Sequence, residues 1–309
     1  MTDPLPTSPS PTSPRCGFVA LVGAPNAGKS TLLNAMIGSK IAIVSPKPQT
    51  TRARVLGIVI EDQSQIVFVD TPGVFTPRRR LDRAMVAAAW QGVGDADFLT
   101  LLVDATRKEL DEDTLGIIER LKAESRHAVL ALNKIDRIHP ERLLTLAERL
   151  NSEGVFTDIF MISALTGDGV ADLRKHLAAK IPEGPWLYPE DQITDAPMRL
   201  LAAEITREAL FIQLHQELPY ASTVETETWE QFSDGSVKIG QVIFVERESQ
   251  RAIVLGKGGS RIKMIGTAAR TEIEKMTGCR IHLKLFVKVR ESWGEDPERY
   301  EPWGLSYNA

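Results

Sequence analysis

Residues 23–30, GAPNAGKS, fit the pattern G-x-x-x-x-G-K-[ST], and no other stretch constrains the chain as much. Such a loop works between a strand and a helix. Its backbone N–H groups curl round phosphate oxygens, and the helix N-terminus adds positive potential. The apolar run at 18–22 supplies the strand, and residues 29–37 supply the helix. Gly23, Pro25, Asn26, Ala27, Gly28 and Thr31 are therefore expected around a bound phosphate. Lys29 should reach the β- and γ-phosphates, and the Ser30 hydroxyl suits Mg²⁺.

A strand feeding such a loop belongs to a larger α/β pattern. Apolar runs recur at 66–69, 98–103, 128–132 and 159–162, with helix-like stretches at 29–37, 81–91, 111–122, 140–150 and 171–179. Short strands alternating with helices, and apolar on both faces, indicate a mostly parallel sheet. Residues 52–60 read as a further strand at an edge. The chain has 309 residues, enough for two domains. Residues 181–197 hold four prolines and no helical period, which places a linker at 185–197 between units at 16–184 and 198–290. Residues 1–15 hold five prolines, six Ser or Thr and one large aliphatic residue besides Met1, and are expected to be disordered. Residues 291–309 form an acidic, aromatic tail.

Composition narrows the class further. Hydrophobic residues at 43% and charged residues at 25% exclude wholesale disorder. Two cysteines, Cys16 and Cys279, exclude a disulfide-stapled fold and fit a reducing compartment. No apolar run reaches the ~20 residues of a membrane-spanning helix, and the first 15 residues lack the features of a signal peptide. A cytoplasmic monomer is expected, and peripheral contact with an inner membrane face stays compatible with it.

Three more motifs follow, each at the carboxyl end of a predicted strand, the edge where open α/β sheets bind ligands. Asp70-Thr71-Pro72-Gly73 can hold a metal through Asp70 and offer the Gly73 amide to a γ-phosphate. Asn133-Lys134-Ile135-Asp136 selects the base: a carboxylate accepts from both N1–H and the N2 amine of guanine, and adenine has no matching donor pair. Ser163-Ala164-Leu165 would bring the Ala164 N–H near the guanine O6. GTP and GDP with Mg²⁺ are the expected ligands.

These four motifs resemble the G1, G3, G4 and G5 elements of the translation-factor-related GTPases. Residues 45–54, SPKPQTTRAR, resemble the switch I region of the Era-type family. The resemblance assigns Thr50 or Thr51 to Mg²⁺ and the γ-phosphate. With Lys29 and Gly73, these threonines form the expected catalytic set. Val74 follows the DTPG glycine and cannot orient water as glutamine does in Ras-like switches. Arg52, Arg54 and the run Arg78-Arg79-Arg80 are arginine-finger candidates only by proximity, so slow intrinsic hydrolysis is expected. Resemblance to GTPases with Asn at this phosphate-loop position implies stimulation by K⁺, with Asn26 as its candidate ligand.

The second half reads α-β-β-α-α-β, with Gly256-Lys257-Gly258-Gly259 between its last two helices. This looks like a type II KH domain, so the fold class is a P-loop GTPase domain followed by an α+β KH domain. Its G-x-x-G loop clamps about four nucleotides of backbone. Residues 247–290 carry eleven Lys or Arg against three acids, inside a chain of net charge -4. Gly256, Lys257, Gly258, Gly259, Arg261 and Lys263 are the candidate RNA contacts. The two-part architecture is that of the bacterial Era-type GTPases. It implies binding to 16S ribosomal RNA near its 3′ end and a role in assembly of the small ribosomal subunit. A constitutive RNA-binding assembly protein with a structural nucleotide is the alternative reading. A membrane-associated GTPase is weaker, because no lipidation motif supports it.

Overall fold

A computed structural model describes residues 13–47, 50–52, 54–77, 79–214 and 218–309. The first unit runs β1 (Arg15–Val22), α1 (Lys29–Ile37), β2 (Val55–Glu61), β3 (Ser64–Asp70), α2 (Arg80–Asp95), β4 (Phe98–Asp104), α3 (Glu112–Ala123), β5 (Ala128–Asn133), α4 (Pro140–Asn151), β6 (Phe156–Ile162) and α5 (Val170–Lys180). Its six-stranded sheet has the order β2-β3-β1-β4-β5-β6. Every pairing is parallel except β2 with β3, a hairpin at the edge. Apolar side chains line both faces of the sheet, as a parallel sheet between two helical layers demands. Leu32, Leu33 and Met36 of α1 and Leu173 and Leu177 of α5 pack on one face. Ala89 and Val93 of α2, Ile117, Ile118 and Leu121 of α3, and Leu143 and Leu150 of α4 pack on the other. The chain leaves β1 toward β3 on one side and β4 on the other. That reversal opens a crevice at the carboxyl ends of the strands, and the 23–30 loop sits in it.

The second unit runs α6 (Met198–Gln213), β7 (Ser222–Gln231), β8 (Val237–Val245), α7 (Glu248–Leu255), α8 (Ser260–Thr277) and β9 (Ile281–Val289). β7 pairs antiparallel and β9 parallel to the central β8. Helices α6 and α8 cover one face of this sheet: Ala203 and Leu210 meet Ile265 and Ala269 over Val224, Ile243 and Val245.

The structure departs from the sequence reading at two places. Residues 1–12 lie outside the described residues, but the rest of the stretch expected to be disordered is ordered. Arg15 opens β1, pairing with Ser64, and its guanidinium donates to the carbonyls of Ala179 and Ile181 at 2.9 and 3.0 Å. Apolar residues spaced as far as Leu218 predict a helix over 198–218, but α6 stops at Gln213. The Lys47 ammonium donates to the Phe211 and Leu214 carbonyls there, a cation at the negative end of the helix. The tail folds into short 3₁₀ turns and docks on the first unit. Trp293, Tyr300, Trp303 and Leu305 are buried against Ala84 and Met85 of α2.

Candidate functional site

The phosphate loop is tied to three other loops by buried side chains. Lys29 is 6% exposed, and its ammonium donates to the carbonyls of Gly23 and Ala24 at 2.8 and 3.1 Å. Burial pulls its pKa down to about 8, against the pull of Asp70. Asp70 closes β3 fully buried, and burial pushes its carboxyl up to about 6. Its Oδ2 accepts from the Ser30 hydroxyl at 2.8 Å, and its Oδ1 has no partner among the described residues. The Thr51 hydroxyl lies 2.8 Å from that of Ser30 and also reaches Asp70. The Thr50 hydroxyl is engaged by its own loop, 2.7 Å from both Ser45 Oγ and the Lys47 carbonyl. Ser30, Thr51 and Asp70 thus converge as hard oxygen donors around an unsatisfied carboxylate oxygen, a donor set that suits Mg²⁺. Pro25, Asn26, Gly28, Thr31 and Gly73 line the adjoining cleft together with Lys29, Ser30, Thr50 and Thr51.

The expected base-binding end is organised by Asn133, the last residue of β5 and 2% exposed. Its Nδ2 donates to the Ala27 carbonyl at 2.8 Å, while its Oδ1 accepts from the Ala164 and Lys134 amides at 2.9 and 2.8 Å. One side chain therefore joins the phosphate loop to both expected base-contacting loops. The Ser163 hydroxyl donates to Asp136 Oδ1 at 2.7 Å, and Asp136 is exposed. Leu165 is 79% exposed. Lys134 donates to the Asn26 carbonyl at 2.8 Å and to Asp104 at 2.6 Å. Burial opposes ionisation of Asp104, but hydrogen bonds from Lys134 and Thr106 hold its carboxyl below the usual range. Sequence reasoning missed Asp104. The available signal was its position at the end of β4, on the edge where the motifs cluster.

Asn26 adopts φ +64°, and its Nδ2 donates to the Pro46 carbonyl at 3.1 Å, linking the phosphate loop to the 45–54 segment. Within that segment Gln49 lies outside the described residues, as does Arg78 of the basic run. None of Arg52, Arg54, Arg79 and Arg80 lines the cleft. Arg52 is buried and donates to the carbonyls of Ser222 and Tyr220. Arg80 pairs with Glu295 at 2.9 Å beneath Tyr307.

In the second unit the G-x-x-G loop turns between α7 and α8, with Gly258 at φ +60° and open space around Gly258 and Gly259. Lys257 and Lys263 are exposed, beside Ile253 and Met264 at 47% and 56% exposure. Arg261 donates to the Ile253 carbonyl at 2.8 Å, so part of its donor capacity closes the loop. Several cations of the basic stretch are paired: Arg270 with Glu274, Lys275 with Glu272, and Lys288 with Glu227.

Residues 18–134 match the family model described as 50S ribosome-binding GTPase, and residues 217–294 match the KH domain model. The chain is 61% identical to GTPase Era of Afipia carboxidovorans over 293 residues, 95% of each chain. It is 57% identical to GTPase Era of Brucella suis over 306 residues, 99% of this chain and 98% of that one. The chain belongs to the Era family of GTPases. Its fold superposes with TM-score 0.89 at 38% identity on a crystal structure of Era in complex with MgGDPNP and nucleotides 1506–1542 of 16S ribosomal RNA. That match covers 95% of this chain and 99% of the other. A single-residue variant of Aquifex aeolicus Era bound to GDP.AlF4- superposes equally well. The Era likeness spans both units and the linker between them, so the P-loop GTPase and KH fold classes read from the sequence hold together in one chain.

Proposed function

We propose that this chain is a GTP-hydrolysing switch that binds 16S ribosomal RNA near its 3′ end and acts in assembly of the small ribosomal subunit. The observation that carries the reading is the convergence of Ser30, Thr51 and Asp70 beside buried Lys29, with Asn133 joining that cradle to Asp136 and Ala164. Residues 16–184, extended by Arg15, act as the nucleotide unit; 185–197 connect it to the RNA-binding unit at 198–290; 291–309 brace the two. Peripheral contact with an inner membrane face would fit a cytoplasmic protein of this kind, and no helix among the described residues is long and apolar enough to cross a membrane.

In this reading Lys29 holds the β- and γ-phosphates, and the phosphate-loop amides surround them. Ser30 and Thr51 face the metal directly, with Asp70 behind them, and Thr50 shapes the loop. When bound there, Mg²⁺ neutralises charge on the phosphate oxygens. Gly73 offers its amide to the γ-phosphate. Asp136 accepts from N1–H and the N2 amine of guanine, and Ser163 orients it. The Ala164 N–H, expected near O6, is given instead to Asn133 Oδ1, so Ala164 holds its loop beside the base. Lys257 and the glycines of the G-x-x-G loop meet the RNA backbone, and Lys263 adds charge. Asn26 would hold K⁺, which would supply the positive charge that none of Arg52, Arg54, Arg79 and Arg80 brings to the cleft.

RNA affinity measured with a GTP analogue and with GDP tests the switch. Preference for RNA in one nucleotide state supports it. A ratio near one would favour the constitutive binder, since a ligand with equal affinity for both states shifts nothing. Turnover in KCl against NaCl at equal ionic strength tests the K⁺ site, and equal rates reject it.

A further inference from the structure

Residues 41–52 carry Thr51 but form neither helix nor strand among the residues described there. Such a loop must find its backbone partners elsewhere. Its start is held by its own unit: Asn34 accepts from the Ile41 and Ala42 amides at 2.9 Å and donates to the Ala42 carbonyl at 2.8 Å. Past Ala42, helix α6 of the other unit takes over. The Val44 amide donates to Glu208 Oε1 at 2.8 Å, and Lys40 pairs with the same carboxylate. The Thr50 carbonyl accepts from the Arg207 guanidinium. Lys47 caps the end of the same helix.

Arg207 and Glu208 are 1% and 6% exposed. Burying a guanidinium and a carboxylate at successive positions is costly unless each is paired. Arg207 pairs with Glu204 and lies over the Phe211 ring at 5.2 Å, but its Nη1 has no partner among the described residues. An apolar helix face would pack at less cost. What these two charges add is a fixed position for the backbone on both sides of residues 45–49.

We propose that Arg207 and Glu208 are positioning residues for the metal site: α6 of the RNA-binding unit is the wall against which the loop sets the Thr51 hydroxyl beside Ser30 and Asp70. The inference rests on the reading of Thr51 as a metal ligand. Arg207 fixes the carbonyl one residue before Thr51, and Glu208 fixes the opposite end of the loop. Neither lines the phosphate cleft. GDP lacks the γ-phosphate, so its affinity without Mg²⁺ should not depend on them.

The test uses the full chain and four variants: Arg207→Met, Arg207→Lys, Glu208→Met and Thr51→Ala. Affinities for a non-hydrolysable GTP analogue and for GDP are measured across a Mg²⁺ titration, and hydrogen exchange is followed over residues 40–52 without nucleotide. Arg207→Met and Glu208→Met should each weaken the Mg²⁺-dependent analogue affinity about tenfold, the loss of one charge-assisted hydrogen bond. They should raise the Mg²⁺ midpoint, leave GDP affinity without Mg²⁺ within about twofold, and speed exchange in the loop. Arg207→Lys should recover part of the loss. Glu208→Met replaces a buried carboxylate with an apolar side chain of similar length, so it decides the question even if Arg207→Met folds poorly. Wild-type analogue affinity and Mg²⁺ midpoint in Glu208→Met, with Thr51→Ala impaired, would overturn the inference. No effect of Thr51→Ala would instead overturn the metal reading beneath it.

Discussion

Gly28 sits at φ +104°, and a Cβ built on it would lie 2.2 Å from Asn133 Nδ2. Gly28→Ala therefore carries two costs. Holding an L-residue in that backbone region costs about 1–3 kcal/mol. Asn133 must also move, giving up its bonds to Ala27, Ala164 and Lys134. With three buried hydrogen bonds at about 1 kcal/mol each, that adds about 3 kcal/mol. Asn133→Ala alone loses the same three bonds and leaves the Ala27 carbonyl and Ala164 amide unpaired, so it too should cost about 3 kcal/mol.

In the double variant the clash disappears, because the atom that the added methyl group would strike is gone. The Asn133 bonds are then lost once rather than twice, and the two substitutions should couple by about 3 kcal/mol. The cost appears in nucleotide affinity because the binding-competent arrangement of the loops becomes a minor population, and the apparent Kd rises by the inverse of that population. Each single variant should weaken GDP binding by about two decades or more, and the double variant by little more than Gly28→Ala alone. Calorimetric titration of GDP into the four proteins completes the cycle. Additivity within about 0.5 kcal/mol would refute the claim that Asn133 is the strut that Gly28 exists to clear.

Three other outcomes rest on the same geometry. The buried Lys29 ammonium has a pKa of about 8 in the free protein, and bound phosphates favour its charged form, so GDP binding should take up a proton above pH 8 but not at pH 7. Affinity then falls as pH rises past 8; calorimetry at pH 9 in two buffers of different ionisation enthalpy checks it, and zero uptake contradicts it. Asp136→Asn should weaken guanine nucleotides by about four decades and favour xanthine, while the Ser163 hydroxyl keeps a partner; unchanged selectivity in competition binding would contradict the base assignment. Gly258→Asp meets no neighbour, and Asp tolerates φ +60° comparatively well. It should fold normally, lose about tenfold or more in affinity for single-stranded RNA by filter binding, and keep wild-type GTP turnover.

What was legible in the sequence is what acts locally. GAPNAGKS, DTPG, NKID and SAL each carry their chemistry in a few consecutive residues, and each lies where a strand ends, so period and motif agreed. The α-β-β-α-α-β order was readable for the same reason. The misses share the opposite cause. β1 starts at Arg15 because Arg15 reaches the carbonyls of Ala179 and Ile181, 164 and 166 residues away. Helix α6 ends where Lys47, 164 residues before Phe211, meets its carbonyls. Thr50 and Thr51 are neighbours in a loop without period. The Thr50 hydroxyl turns to Ser45 and Lys47 while that of Thr51 meets Ser30 of the phosphate loop, and no local pattern announces the difference.

Long-range contacts also engage Arg52 and Arg80, two of the arginines that sequence proximity offered to the cleft. Arg52 lies nearest in sequence to Thr51, yet its guanidinium sits between the rings of Phe211 and Trp293, 5.8 and 5.4 Å away, and donates to carbonyls of the second unit. Burial, and then the neighbouring Arg207, bring its pKa down to about 9; releasing it would leave the Ser222 and Tyr220 carbonyls without that donor. Arg79 begins α2, where Asp82 accepts from its amide, and Arg80 is held by Glu295 and Tyr307 of the tail. Each of these cations braces one unit against the other or shapes a helix end. Swinging Arg52 or Arg80 into the cleft would give up these contacts. A K⁺ ion beside Asn26, as proposed above, would bring positive charge without that loss.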